Sequence, residues 1–181
     1  MLPKLETEKT LLRAFEPEDA PFVEELAGDK RVAATTITIP HPYPPGSAVN
    51  WIEKHKERAE KKESYIFAIE EKSDGKFIGT VTLRIENNHK RAELAYWFGV
   101  PFWGKGYATE SIGKVLEFGF ENVGLNRIWA TVMKKNIASS KVLTKNGFNH
   151  EGTFPKHDLK WGKFEDVEYF GLLKDDFIKT Y

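Results

Sequence analysis

Residues 101–110 read Pro101-Phe102-Trp103-Gly104-Lys105-Gly106-Tyr107-Ala108-Thr109-Glu110. An apolar run from Arg91 to Val100 leads into this segment as a strand and is stopped by Pro101. Tyr107 to Asn122 then has helical spacing, with Ala108, Ile112, Val115, Leu116 and Gly119 on one side. A strand therefore passes through a glycine-containing turn into a helix. Amides at a helix start lack intrahelical acceptors and carry the positive end of the dipole, so they suit a phosphate. Gly104, Gly106 and Ala108 let the main chain approach an anion, and Lys105 adds a positive charge.

Several phosphate chemistries compete for such a turn. Gly99, Gly104 and Lys105 have the spacing of a nucleoside-triphosphate loop, but Gly106 stands where a magnesium-binding Ser or Thr is required. A dinucleotide fingerprint needs glycine at 109, which is Thr109. A pyrophosphate loop for coenzyme A is the third reading, and a plain strand-to-helix turn is the reading without a ligand.

Outward from this centre the pattern is that of one α/β domain over residues 1–181. Thr10 to Phe15 reads as a strand, and Pro17 opens a helix over Glu18 to Ala27 that Gly28 stops. Thr35 to Gly46 holds four prolines and reads as a loop, after which Ser47 is placed to cap a helix carrying the stripe Ala48, Trp51, Ile52, His55 and Ala59. Tyr65 to Glu70 and Lys76 to Glu86 read as a hairpin around Ser73-Asp74-Gly75. Arg127 to Met133 is a strand, and Asn136 to Asn146 a helix ended by Gly147. Asn149 to Lys156 and Phe164 to Leu173 close the chain as a strand pair, with Trp161-Gly162-Lys163 near the turn.

Composition excludes several classes. The 181 residues are 40% hydrophobic and 13% aromatic, enough for a sizeable core. Lys plus Arg and Asp plus Glu both number 27, so no global field draws the chain to nucleic acid or an anionic membrane. Lys134-Lys135 is too short a patch to imply nucleic acid. Cysteine is absent, which removes disulfides and thiolate chemistry. The five histidines show no paired metal spacing, so no metal is expected. The N-terminus has no secretory apolar region, and Leu94 to Trp103 is too short to span a bilayer, so a cytoplasmic location is expected.

The order of these motifs resembles the GNAT acyltransferase superfamily, in particular its ribosomal-protein N-terminal acetyltransferase (RimJ/RimL-like) branch. The matching features are Glu93-Leu94-Ala95-Tyr96-Trp97, the segment Trp103 to Glu110, Gly124-Leu125-Asn126-Arg127, Asn136-Ile137-Ala138-Ser139, Asn146-Gly147-Phe148 and Glu151-Gly152. Upstream, Leu12-Arg13, Glu18-Asp19-Ala20 and Ile78-Gly79 also match. The resemblance implies a mixed, mostly antiparallel central sheet with helices on both faces and a splayed strand pair. It implies acetyl-CoA as co-substrate and a primary amine as acceptor, a protein N-terminus first and a small amine (polyamine, aminoglycoside or amino-acid derivative) second. A coenzyme-binding module without turnover is a third reading, and an oligomer is compatible with all three.

The resemblance also assigns residues. Backbone groups of Trp97, Phe98, Gly99 and Val100 would meet the pantetheine arm, and the turn formed by Trp103, Gly104, Lys105, Gly106, Tyr107, Ala108 and Thr109 would meet the pyrophosphate. The family's loop begins with Arg or Gln where this chain has Trp103. Asn136 matches a coenzyme-contacting Asn and is equally suited to cap its helix. Glu93 is the candidate base, on a strand face with Ala95, Trp97 and Gly99, and a salt bridge to Arg91 or another cation is its rival role. Many relatives carry a thiolate-protonating Tyr where this chain has Leu143; Ser139 is the local candidate, with a helix-opening Ser that merely caps as its rival role and an unassisted thiolate as the third reading. Tyr96, on the face opposite Glu93, reads as a core aromatic. Apart from the resemblance, Tyr43, Trp51 and Trp161 are candidates to line an acceptor cleft, with core or surface packing as the commoner role of such aromatics.

Overall fold

The computed structural model describes residues 2–178. Its centre is one eight-stranded sheet in the order β1-β2-β3-β4-β5-β6-β8-β7. The strands are β1 (Leu5–Glu6), β2 (Thr10–Arg13), β3 (Ser64–Glu71), β4 (Phe77–Glu86), β5 (Arg91–Phe98), β6 (Arg127–Met133), β7 (Asn149–Lys160) and β8 (Lys163–Leu173). Every neighbouring pair is antiparallel except β5 with β6. The helices are α1 (Ala20–Ala27), α2 (Lys30–Ala34), α3 (Ser47–Glu53), α4 (His55–Glu60), α5 (Tyr107–Glu117), α6 (Ile137–Lys145) and α7 (Lys174–Ile178).

Apolar side chains of both sheet faces are covered. On one face Phe67, Leu83, Leu94, Ile128 and Val132 pack with Ile112, Leu116 and Leu143 of α5 and α6. On the other face Ala68 and Phe77 pack with Ala20 and Val23 of α1 and with Ala48 and Ile52 of α3, and Trp97 lies against this layer. Burying a Leu, Ile or Phe side chain stabilises by about 1.5–3 kcal/mol, so these two layers dominate the fold's stability. The mixed sheet flanked on both faces is the architecture that the sequence implies.

Local departures have physical causes. Ser47 does not cap α3; it is the first helical residue, its hydroxyl donates to the Pro44 carbonyl, and Gly46 is the cap. Glu24 of α1 does the capping, its carboxylate accepting from the Gly46 amide at 2.7 Å and the Ala48 amide at 3.4 Å. The stripe read as one helix is divided between α3 and α4 at Lys54. The α5 helix ends at Glu117, and its last expected turn is a π-helical turn over Phe118–Asn122. β7 runs to Lys160, with register shifts between His150 and Gly152 and between Phe154 and Asp158. Among the described residues no helix is long and apolar enough to cross a membrane.

Candidate active site

β5 and β6 lie side by side over only three residue pairs, Arg91 with Arg127, Ala92 with Ile128 and Glu93 with Trp129. Beyond them β5 continues to Phe98 and β6 to Met133 unpaired with each other, so the sheet opens into a gap. The ladder phase says which backbone groups face it. The Gly99 amide donates to the Ile78 carbonyl at 2.9 Å, and antiparallel pairs alternate between bonded and non-bonded. Glu93, Ala95 and Trp97 therefore turn their peptide groups to β4, while Leu94, Tyr96 and Phe98 turn theirs to the gap. A groove of about 870 Å³ runs through the opening, a size suited to a cofactor.

At one end of the groove stands the glycine turn. A 3₁₀ turn over Val100–Phe102 leads into it. Gly104 and Gly106 have φ of +74° and +86°, a left-handed backbone that costs other residues about 1–2 kcal/mol. Gly106 is the cap of α5 and provides no side-chain acceptor, so the first-turn amides at Tyr107, Ala108 and Thr109 are left for an external anion. Gly104, Gly106, Ala108 and Thr109 line the groove, whereas Lys105 does not; its Nζ sits 5.8 Å from the Phe102 ring centroid. The Tyr107 hydroxyl turns to the Glu71 carboxylate of β3, so this residue offers the groove its backbone more than its phenol.

The turn occupies several groups expected to serve the coenzyme arm. The Gly99 carbonyl accepts from the Phe102 amide at 2.9 Å and the Val100 carbonyl from the Trp103 amide at 3.2 Å. Both backbone groups of Gly99 are thus bonded within the fold, and those of Trp97 face β4. The Trp103 indole donates to the Phe98 carbonyl at 2.7 Å. Strand phase, invisible in the sequence, moves the open edge to the Leu94 carbonyl, Tyr96 and the Phe98 amide.

Along the gap, α6 meets β5. Asn136 caps α6, its side-chain oxygen accepting from the Ser139 amide at 3.1 Å while its Nδ2 donates to the Thr35 carbonyl at 3.3 Å. Ser139 Oγ and the Tyr96 hydroxyl are 2.6 Å apart, and that hydroxyl also donates to the Ser139 carbonyl at 3.2 Å. Burial pushes the Tyr96 phenol well above the ordinary tyrosine range, so it is protonated at neutral pH. Tyr96 lies on the predicted face and packs against the core, yet its hydroxyl reaches the groove wall, a contact that the core-aromatic reading omits. Leu143 is fully buried in the core.

Glu93 lines the groove on the face opposite α5 and α6. Its carboxylate is ion-paired with Arg84, directly across β4, at 2.8 Å. The salt bridge named as its rival role is thus formed, with Arg84 as the cation, while Arg91 pairs with Glu86 at 2.7 Å. Tyr43 and Trp51 line the groove as expected; Trp161 does not, and stands half exposed at the β7–β8 turn.

The family model described as an acetyltransferase (GNAT) domain matches residues 9–149. An uncharacterized N-acetyltransferase p20 of Bacillus licheniformis is 32% identical over 174 residues, which is 96% of this chain and 97% of that protein. The structure of a ribosomal-protein-S5-alanine acetyltransferase from Vibrio fischeri superposes with a TM-score of 0.86 at 22% identity, covering 97% of this chain and 98% of that one. Spermidine N-acetyltransferase from Vibrio cholerae, solved with CoA and spermine, gives 0.82 at 22% identity, covering 95% and 99%. At these identities the two structures establish a shared fold.

Proposed function

Because the chain belongs to the GNAT acetyltransferase family and is an acetyl-CoA-dependent N-acetyltransferase, we propose that its acceptor is the α-amine of a protein N-terminus, as in the ribosomal-protein branch. The observation that carries the site assignment is the gap through the sheet. Phosphate-binding amides stand at the α5 end, and the Glu93 carboxylate waits on the opposite face. A coenzyme laid from one to the other presents its thioester in the opening.

The residues divide the chemistry between them. The amides of the turn from Gly104 to Thr109 hold the pyrophosphate. The gap-facing peptide groups of Tyr96, the Leu94 carbonyl and the Phe98 amide bond the amide-bearing pantetheine arm, as an added strand would. An α-amine with an unperturbed pKa of roughly 7.7–8.0 is largely protonated at neutral pH, so a proton must leave before attack. Glu93, held by Arg84, gathers the ammonium and accepts that proton through water. The neutral nitrogen attacks the thioester carbonyl, and the gap-facing amides stabilise the oxyanion. Collapse breaks the carbon–sulfur bond, the Tyr96–Ser139 hydroxyl pair donates to the departing thiolate, and the second nitrogen proton, shed to water as the amide forms, replaces the one the pair gave.

A panel of short peptides, spermidine and free amino acids, assayed for thiol release with the product located by mass spectrometry, tests the acceptor. Acetyl on a peptide α-amine is the expected result. Turnover confined to the polyamine or the amino acids would overturn the protein-N-terminus reading.

A further inference from the structure

One wall of the groove is the segment that follows α2, through Thr35, Ile37, Thr38 and Ile39. It has no strand partners of its own, and it is secured at two places. Asn136 Nδ2 reaches the Thr35 carbonyl at 3.3 Å from the α6 side. From behind, Lys160 at the end of β7 donates through Nζ to the Ile39 carbonyl at 2.7 Å and the Ile37 carbonyl at 3.3 Å.

Lys160 is an unusual lysine. It is 7% exposed, although it does not line the groove. Burial and the neighbouring Lys135 cation both lower its pKa from the ordinary value. A buried ammonium is retained at such a place only when acceptors surround it, and here the acceptors are two loop carbonyls. The next residue strengthens the contact: the Trp161 ring carries Lys160 Nζ at 5.1 Å and Lys30 Nζ at 6.0 Å, and lies 6.2 Å from the His41 ring. The hairpin tip and the 35–46 segment are thus tied across the face of the sheet that carries Glu93.

We propose that Lys160 is a positioning residue: by tying the β7–β8 tip to the 35–46 segment it shapes the acceptor end of the groove without touching the acceptor. The inference rests on the reading above for the side from which the amine enters. The phosphate turn that opens α5 lies outside this tie, while Ile39 packs with Trp97 of β5 and Val100. Loss of Lys160 therefore acts on the acceptor and spares acetyl-CoA.

The test compares Lys160→Met, which keeps an apolar stem and removes the donor, with Lys160→Arg, which keeps one. A charge-assisted hydrogen bond of this kind corresponds to roughly ten- to hundredfold in affinity. Lys160→Met should raise the acceptor KM by about tenfold or more on that basis, leave the acetyl-CoA KM within about twofold, and speed hydrogen–deuterium exchange across residues 35–46. Lys160→Arg should restore most of both. An unchanged acceptor KM, or a parallel rise in both KM values with a lower melting temperature, would overturn the proposal. Exchange is measured without any acceptor, so a wild-type protein that turns over none of the tested amines counts against the acceptor reading alone, and unaltered exchange in Lys160→Met then overturns the tie.

Discussion

The Tyr96 hydroxyl lies 2.6 Å from Ser139 Oγ and so joins β5 to the first turn of α6 across the opening in the sheet. A phenol is thereby present at the groove wall although α6 itself carries Leu143 at the position where many relatives place one. In this contact one hydroxyl donates and the other accepts, and the pair would face the departing sulfur of a thioester seated as proposed.

Tyr96→Phe keeps the ring that packs the core and removes only the hydroxyl. We expect kcat to fall by about 100-fold, the lower end for a positioned acid, while acetyl-CoA affinity measured by calorimetry stays near wild type. Ser139→Ala should lose less, because the phenol remains. Equal kcat for Tyr96→Phe and wild type would remove this residue from the chemistry.

Glu93→Gln tests proton removal from the acceptor. At pH 7 its kcat/KM should drop by about 100-fold. The deficit should shrink as pH rises past roughly 8, where a free α-amine is already neutral. A deficit that stays constant from pH 6.5 to 9.5 would mean that Glu93 organises Arg84 and does not handle the proton.

Gly106→Ala isolates the backbone of the proposed pyrophosphate turn. A Cβ at Gly106 has only Lys9 Nζ nearby, at 3.8 Å, so the change acts through the left-handed φ and not through crowding. Strain of about 1–2 kcal/mol should weaken acetyl-CoA binding roughly tenfold. Gly124→Ala is the control: its φ is also positive, at +78°, and it lies outside the groove lining. Its Kd should match wild type by calorimetry.

His55 makes stability depend on pH. It is 8% exposed between the Trp51 and Phe15 rings, and neither ring nitrogen has a hydrogen-bond partner among the described residues. Burial first, and then Arg58, lower its pKa to about 4. The folded state therefore holds the neutral ring, while the unfolded chain takes up a proton below pH 6.5. His55 leaves stability untouched above that value and subtracts from it as pH falls toward 4, by on the order of 3 kcal/mol at the end of the window. Urea unfolding at pH 7.5, 6 and 5 should show His55→Leu losing less than wild type on acidification; parallel losses would refute the assignment.

Arg13 holds two carboxylates together, Asp19 at 2.8 Å and Glu70 at 2.8 Å, and its side chain is 12% exposed. Arg13→Met should destabilise by about 3–5 kcal/mol, since it strands the buried Asp19. Chemical denaturation would read the loss directly, and a change below about 1 kcal/mol would place the pair with ordinary surface bridges.

Much of this molecule is legible in sequence because its signals are local. The apolar run through β5, the two glycines beside Lys105 and the Asn136 cap all act within a turn or two of themselves. What escapes is long-range. Glu24 caps a helix 22 residues away, Tyr96 meets Ser139 43 residues away, and Lys160 meets Ile39 at a separation of 121. Strand phase escapes as well: side-chain alternation places Glu93 and Tyr96 on opposite faces, but only the Gly99–Ile78 bond shows which peptide groups the gap receives.

The three-pair seam between β5 and β6 divides the sheet into two leaves, β1 to β5 and β6 to β8, that share few rungs. A coenzyme arm bound as proposed would supply the missing rungs and stitch the leaves. Thermal resistance of the whole domain should therefore track coenzyme occupancy, with about 2.7 kcal/mol gained at a hundredfold excess over Kd, and amide exchange should slow in β6 as well as in β5.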